Sequence, residues 1–451
     1  MITDLRRRLD EAIAKHGVPG ASIAVSRDGE VVAVASGVLN LNTKVEATTD
    51  ALFQVGSTTK VFTAALIMQL VEEGLLDLDK PVRTYLPEFG LADEAASASV
   101  TTRQLLTHTA GFEGDVFEDT GVEEDCLDRY LKFLAGVGQV HAPGELMSYC
   151  NAGYVVLGAL VARLRGTTWE QAMRERLFAP LGIGHSAFSA KEAIVYRVSA
   201  GHIPGPDGPA VSPDWEMARS NAPAGSTMCL TPSDLLRFGR TLMRGGVTDD
   251  GSRILSAESV AAMLTPQVSV PGVLFGEGAH WGLGIALYGW GDGAYGHDGG
   301  TIGQSTTWVI LPGAGLTLAM TMNGGDVMGL MHDFVHPIFR ELAGVEPPAS
   351  PVPPADPVQV DLSAYVGAYE SGVARYEVEL AEGGGIDVTL VPSELMVKLG
   401  STRETVRYLP LGGHAFVGEK PERGRHPVLA FVMENGQASY LHNSRALARV
   451  P

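Results

Sequence analysis

A proline-rich segment between residues 345 and 357 constrains the fold of this chain more than any other feature. Six of its thirteen residues, VEPPASPVPPADP, are proline. Because proline fixes φ and removes a backbone donor, such a segment favours an extended, semi-rigid conformation over a helix or a strand. We therefore expect two domains, at residues 1–344 and 358–451, joined by a linker at residues 345–357.

The segment before the linker predicts an α+β domain. Strand patterns surround the turn Arg27–Gly29 within residues 21–38 and return at 281–288, 305–311 and 315–322. Helical patterns lie between and after them, at residues 57–74, 102–107, 125–136, 150–165, 168–177, 232–244 and 331–343. A sheet that starts at the N-terminus, is interrupted by a long helical insertion and is completed near residue 320 does not follow the strand–helix alternation of a parallel sheet.

The segment after the linker has a different pattern. Short alternating runs are separated by turn signals such as Gly383–Gly385 and Asn435-Gly436. Many short strands with such turns are typical of a small all-β barrel.

Charge and cysteine content exclude several classes of function. The chain carries 52 acidic and 33 basic residues, a formal net charge of -19, which opposes binding to nucleic acid or to an anionic membrane. The N-terminal sequence has charges where a signal peptide has an apolar region, and no apolar run is long enough to span a bilayer. With three scattered cysteines, these features predict a cytoplasmic protein with reduced thiols.

A first candidate for chemistry is the sequence Ser57-Thr58-Thr59-Lys60, which opens a strongly apolar helix. Residues three apart share a helix face, so Lys60 lies one turn from Ser57. Burial lowers the pKa of a lysine, and an uncharged amine can accept or relay the proton of a neighbouring hydroxyl. The alternative is a polar helix start in which Lys60 extends to water.

Two further candidates lie later in the chain. A tyrosine with a lowered pKa can act as a general base on a serine hydroxyl, which makes Tyr149 a candidate, and Asn151 can bind a substrate amide. The sequence Gly296-His297-Asp298-Gly299-Gly300 precedes a strand and would let a substrate backbone lie against the strand edge. Taken alone, the segment from Tyr149 to Asn151 also fits a capped helix start. The glycine-rich segment at 296–300 also fits a turn with a surface histidine.

The order and spacing of the three patterns resemble the active-site triplet of the serine β-lactamase and penicillin-binding-protein superfamily, Ser-x-x-Lys, Tyr-x-Asn, and Lys-Thr-Gly or His-x-Gly. The segment at residues 100–111, VTTRQLLTHTAG, is similar to one that precedes the second motif in class C-like members. The resemblance covers about residues 5–344. It implies an antiparallel sheet flanked by helices, an all-helical subdomain and no cofactor or metal.

The resemblance also implies a role for each matching residue. Ser57 would attack a carbonyl and become acylated. Lys60 would hold the Ser57 and Tyr149 hydroxyls and favour the phenolate, and Tyr149 would pass the Ser57 proton to the leaving group. Asn151 would orient a substrate amide.

The third motif would complete the site. The backbone N–H groups of Ser57 and Gly300 would form the oxyanion hole. Substrate would also contact Asp298 and Gly299. Separately from the motif, Trp308 is a candidate to line the substrate pocket, and the alternative is that its ring packs in the core. Other histidines and cysteines are expected to be structural: His108 as a capping or core residue, and the pair His332 and His336 without a third metal ligand.

His297 stands where β-lactamases have a lysine, so efficient β-lactam hydrolysis is not expected. The chain is similar instead to D-stereospecific peptidases and to penicillin-binding-protein-type thioesterases that cyclise nonribosomal peptides. The segment Tyr365–Glu370 is similar to the lipocalin-like domain attached to some of these enzymes.

Three hypotheses for function follow. The first is an acyl-enzyme that acts on a small peptide or a peptidyl thioester presented by a carrier protein, with cyclisation preferred to D-peptide hydrolysis. The second is a promiscuous esterase, because the same groups cleave activated esters. The third is a catalytically idle binding or sensor module, which the presence of every motif residue disfavours.

Overall fold

The computed structural model describes residues 4–273, 275–392, 402–422 and 425–451 of the chain. Its α-helices are Leu5–Lys15 (α1), Thr59–Glu72 (α2), Glu94–Ser99 (α3), Thr102–Leu106 (α4), Cys126–Leu134 (α5), Asn151–Arg165 (α6), Trp169–Met173 (α7), Ala179–Leu181 (α8), Ala190–Ala193 (α9), Pro232–Met243 (α10), Ala257–Met263 (α11), Val327–Leu330 (α12) and His336–Ala343 (α13). The π-helical segment Met331–Val335 joins α12 to α13, so the predicted closing helix is present and begins at Val327.

The strands before the linker are Gly20–Arg27 (β1), Glu30–Gly37 (β2), Phe53–Gln54 (β3), His202–Gly205 (β4), Gly208–Val211 (β5), Cys229–Leu230 (β6), Val268–Ser269 (β7), His280–Trp281 (β8), Ala286–Leu287 (β9), Tyr295–Gly296 (β10), Gly299–Thr301 (β11), Gln304–Leu311 (β12) and Leu316–Met322 (β13). After it come Gly367–Glu370 (β14), Ala374–Leu380 (β15), Ile386–Pro392 (β16), Glu404–Gly412 (β17), Ala415–Gly418 (β18), Val428–Glu434 (β19), Gln437–His442 (β20) and Ala446–Val450 (β21).

The main sheet confirms the predicted α+β arrangement. Its order is β2-β1-β13-β12-β10-β9-β8-β7, with β11 paired to β12, and the pairs are antiparallel. The first strand therefore lies beside β13, and the helical insertion separates them in sequence only. The strand predicted at 281–288 is instead two short strands, β8 and β9, because the chain turns at Gly282–Ile285.

Two cores lie on opposite faces of this sheet. Successive side chains of β12 alternate between them: Trp308 and Ile310 face the core around α2, whereas Val309 and Leu311 face α1 and α13. Every residue of α2 from Thr59 to Leu70 is buried, as its apolar sequence predicts. The helix that carries the first motif is therefore the centre of the domain.

The C-terminal strands form the predicted small barrel. The eight strands β14 to β21 pair in order, and β14 also pairs with β21, which closes the barrel. Its interior holds an aromatic cluster that includes Tyr365, Tyr369 and Phe431. Between Ala343 and Leu362, all within the described residues, the chain forms no helix or strand. The exact boundaries at 344/345 and 357/358 stay a prediction.

None of the helices in the described part of the chain is long and apolar enough to cross a bilayer.

Candidate active site

Ser57 lies in a 3-10 turn, Gly56–Thr58, that leads directly into α2. Gly56 has a φ of +55°, and a Cβ there would come within 2.4 Å of the Gly300 nitrogen. A Cβ on Gly299 would likewise lie 3.1 Å from the Ser57 nitrogen. This close approach, which only glycines permit, puts the backbone of Ser57 beside that of β11, where the oxyanion hole is predicted.

Lys60 is fully buried one turn further along α2. Its Nζ donates to Ser57 Oγ at 3.0 Å and to the Ala224 carbonyl at 2.6 Å. Burial lowers the pKa of Lys60 well below its ordinary value, and the positive charge of Arg445 lowers it further. The amine is therefore placed to accept the Ser57 proton, and the alternative of a lysine that extends to water is excluded.

Tyr149 precedes α6, where Cys150 serves as the helix cap through a bond from Gly153 N to Cys150 Sγ. Only 8% of Tyr149 is exposed, and burial raises the pKa of its phenol, an effect that a hydrogen bond from Ser57 partly offsets. The phenol is therefore uncharged at rest. Because burial disfavours the charged form of Lys60, its charge supports a phenolate less than expected, and a second cation near the ring can contribute.

His297 follows β10 and faces Tyr149. Its Nδ1 donates to the carbonyl of Asp298, which leaves Nε2 as the acceptor for the Tyr149 hydroxyl, 3.5 Å away. Burial lowers the pKa of His297 to about 3, and Lys60 adds to the effect. This imidazole is therefore neutral near pH 7. It cannot supply the positive charge of the lysine that β-lactamases have here.

The missing cation comes from the barrel. Arg445 lies in the turn between β20 and β21, and its guanidinium carbon is 4.8 Å from the centre of the Tyr149 ring. Asp115 accepts hydrogen bonds from Arg445 Nε at 2.9 Å and from Arg445 Nη2 at 3.1 Å. Burial alone would lower the pKa of Arg445, but the charge of Asp115 raises it. Nothing in the sequence patterns pointed to Arg445.

Asp115 links this cation to the second motif. Its Oδ1 also accepts from Asn151 Nδ2 at 2.8 Å. The predicted amide-binding residue is therefore held by a carboxylate that the barrel neutralises. The side chain of Asn151 is 7% exposed at the first position of α6.

The barrel also fixes the backbone of the second motif. Tyr149 N donates to the Ser444 carbonyl at 2.9 Å, and Ala446 N donates to Ser148 Oγ at 3.0 Å. Together with the Arg445 ion pair, these contacts make the β20–β21 turn one wall of the site. These contacts place the barrel against the active site.

The remaining predicted residues divide into two groups. Asp298 is exposed and Gly299 is partly exposed at the β11 edge, where a substrate has access to them. Trp308 is fully buried, and its ring stacks on Phe238 at 5.8 Å. The expectation that Trp308 contacts substrate is therefore wrong, because its position in β12 turns it toward α2.

Metal chemistry has no visible ligand set here. In the described ranges, no cluster of three or more His, Cys, Asp or Glu residues could hold an ion. The rings of His332 and His336 lie 5.6 Å apart, and His332 Nδ1 contacts Asp333.

Comparison with known proteins agrees with this geometry. The β-lactamase family profile matches residues 5–333. Penicillin-binding protein 4 of Amycolatopsis lactamdurans is 42% identical over 370 residues, which cover 81% of this chain and 96% of that protein. The crystal structure of SurE has a TM-score of 0.80 at 28% identity and covers 99% of this chain and 98% of its own.

A further solved structure matches three quarters of the chain. The D-amino acid amidase of Ochrobactrum anthropi SV3 has a TM-score of 0.62 at 26% identity and covers 75% of this chain and 99% of its own. With the profile, the relatives and the Ser57, Lys60 and Tyr149 cluster in agreement, the chain belongs to the β-lactamase family, within the β-lactamase and penicillin-binding-protein-like superfamily of serine acyl-enzyme hydrolases.

Proposed function

We propose that this enzyme acylates Ser57 with a peptide-like donor whose reacting residue is D-configured, and releases the peptide by internal aminolysis as a macrocycle. The donor class is a small peptidyl thioester or ester, presented by a carrier protein. The observation that carries the proposal is the covered site: the β20–β21 turn of the barrel packs on Tyr149 and leaves Lys60, Tyr149 and His297 almost inaccessible to water.

Acylation uses the groups in contact with Ser57. As the Ser57 Oγ–carbonyl bond forms, the hydroxyl proton moves to the Lys60 amine, which lies 3.0 Å from Ser57 Oγ. Tyr149 supplies a proton to the leaving sulfur or oxygen, and the bond from the carbonyl to that atom breaks. The backbone N–H groups of Ser57 and Gly300 stabilise the negative charge on the carbonyl oxygen.

Release reverses the proton path. The terminal amine of the same peptide attacks the ester carbonyl and gives a proton to the Tyr149 oxygen as the new amide bond forms. The bond to Ser57 Oγ breaks as Lys60 returns the proton to Ser57. Binding that holds the terminal amine of the peptide at the ester carbonyl favours aminolysis over hydrolysis by water, because the reacting atoms are already close together. The neutral His297 supports the same outcome, because it presents no positive charge to attract a free substrate carboxylate.

The D-configuration is supported by two neighbours. One SurE structure was solved with D-Leu, at 29% identity and a TM-score of 0.77. The other neighbour is the D-amino acid amidase, whose name gives the configuration and which was solved with both D-phenylalanine and L-phenylalanine. The amidase also supports the second candidate, hydrolysis of D-amino acid amides or D-peptides by water. The two candidates share acylation and differ only in the nucleophile that releases the product.

The test uses two peptidyl thioesters that differ only in the configuration of the C-terminal leucine. We expect intact-protein mass spectrometry to find an adduct on the wild type and none on Ser57→Ala. The D-donor should react roughly tenfold or more faster than the L-donor, a discrimination typical of a shaped pocket. Chromatography with mass detection should show a product lighter than the linear acid by one water.

Each of the other outcomes would favour one of the alternative functions. Linear acid alone would replace the cyclase proposal with the D-peptidase. Equal rates for both donors would reject the stereochemical claim and favour the promiscuous esterase. An absent adduct with thioesters and simple esters, or an equal adduct on Ser57→Ala, would reject the acyl-enzyme itself and favour the idle module.

A further inference from the structure

We propose that His108 is a positioning residue that sets the location of the Tyr149 phenol through a hydrogen bond to the next backbone amide. The inference deepens the proposed function and rests on it, because Tyr149 is the proton carrier of that reaction. His108 belongs to none of the three motifs and lies 42 positions before its partner, Cys150.

His108 holds the chain on both sides of Tyr149. Before it, Ser148 N donates to the His108 carbonyl at 2.8 Å. After it, Cys150 N donates to His108 Nδ1 at 3.0 Å. Because the backbone amides before and after Tyr149 both donate to His108, the Tyr149 side chain has little freedom to change direction.

The imidazole also packs on the phenol. The ring centres of His108 and Tyr149 are 4.3 Å apart, with an angle of 31° between the planes. Trp281 meets the imidazole edge-on at 4.9 Å. His108 is fully buried, so these contacts are with rings that are themselves fixed.

The bond to Cys150 determines the tautomer of His108. A nitrogen that accepts from a backbone N–H carries no proton, so the neutral ring has its hydrogen on Nε2. Burial lowers the pKa of His108 well below its ordinary value, and the nearby Lys60 and His297 act in the same direction. The acceptor is therefore present across the physiological pH range.

The backbone conformation of His108 limits which residues can replace it. Its φ is +58°, a left-handed conformation that few residues other than glycine adopt. Asparagine tolerates this conformation and carries an acceptor oxygen near the position of Nδ1. Phenylalanine keeps the ring and has no acceptor. The two substitutions therefore separate the hydrogen bond from the ring contact.

The test compares His108→Phe and His108→Asn with wild type, using an activated ester and counting acylated sites by mass spectrometry. We expect kcat per active site to fall roughly 10- to 100-fold in His108→Phe with KM unchanged, because misplacing a reacting group by about 1 Å has this effect. We expect His108→Asn to recover most of that loss. Equal kcat per active site in wild type and His108→Phe, or equal losses in both variants, would overturn the proposal.

A second readout needs no turnover. In a 13C-tyrosine NMR spectrum, the Tyr149 signal is identified by its loss in Tyr149→Phe. We expect that signal to move or broaden in His108→Phe and to return toward the wild-type position in His108→Asn. If wild type forms no acyl-enzyme, the proposed function fails and this signal still decides the role of His108: an unchanged signal in His108→Phe rejects it.

Discussion

Replacing Lys60 with methionine is expected to reduce the rate of Ser57 acylation by about 10³-fold, the size typical of losing a group that moves the proton. Methionine has nearly the shape of the lysine stem and fills the same buried space in α2. It removes the Nζ that lies 3.0 Å from Ser57 Oγ. Single-turnover mass spectrometry with an activated ester measures this rate without interference from product release.

The same substitution should change how stability depends on pH. Between the lowered folded pKa of Lys60 and the ordinary value of 10.5, the unfolded lysine binds a proton that the folded lysine does not. Lys60 therefore makes the free energy of unfolding rise with pH through this window and fall as pH decreases, by up to about 1.4 kcal/mol per pH unit. Methionine has no such dependence.

Urea unfolding at mildly acidic and at alkaline pH tests this sign. We expect Lys60→Met to gain stability relative to wild type toward acidic pH, where the difference between the two proteins should be largest. Lys80→Met, which alters an exposed lysine, is the matched control and should follow wild type in both rate and stability. Parallel pH curves for wild type and Lys60→Met would mean that the folded lysine keeps its ordinary pKa.

The parts of the site that were predictable depend on short-range geometry. The spacing of Ser57 and Lys60 predicts a shared helix face, and the apolar residues after them predict that the helix is buried. Both features are present in α2, with a direct contact between the two side chains. Alternating patterns after the linker likewise predicted a barrel, because strand period and turn residues are local properties.

The errors arise where distant parts of the chain meet. The alternation along β12 divides its residues between two faces, but the pattern gives no sign of which face meets α2, so Trp308 was placed in the cleft and lies in the core. The charged residues near Tyr149 could not be predicted from the sequence either. Arg445 and Asp115 are 330 positions apart, and only the docking of the barrel brings them together.

Replacing Arg445 with methionine is expected to slow acylation roughly 10- to 100-fold. A charge about 5 Å from the centre of the phenolate charge would interact with it by about 3 kcal/mol at an effective dielectric constant near 20. The guanidinium carbon lies 4.8 Å from the ring centre, and Asp115 offsets part of the interaction, so the expected effect is smaller. Because Arg445 lowers the pKa of Tyr149, its loss makes the negative charge that Tyr149 carries during proton transfer less stable. Arg375→Met, which removes a barrel ion pair of similar exposure, is the control and should leave the rate unchanged.

Measuring the free energy of unfolding separates the loss of the Arg445 charge from a weakened contact between the barrel and the first domain. Arg445→Met leaves Asp115 without its cation, but 35% of the arginine side chain is exposed, so we expect a loss of only roughly 1–2 kcal/mol. Asp115→Asn in the same chain keeps an oxygen for Asn151 and removes the unpaired charge. The double variant should therefore recover most of the stability but only a small part of the acylation rate, because it also removes the Asp115 charge that opposes a phenolate. If the rate returned with the stability, Arg445 would serve only to attach the barrel, and the phenol would need no cation beside it.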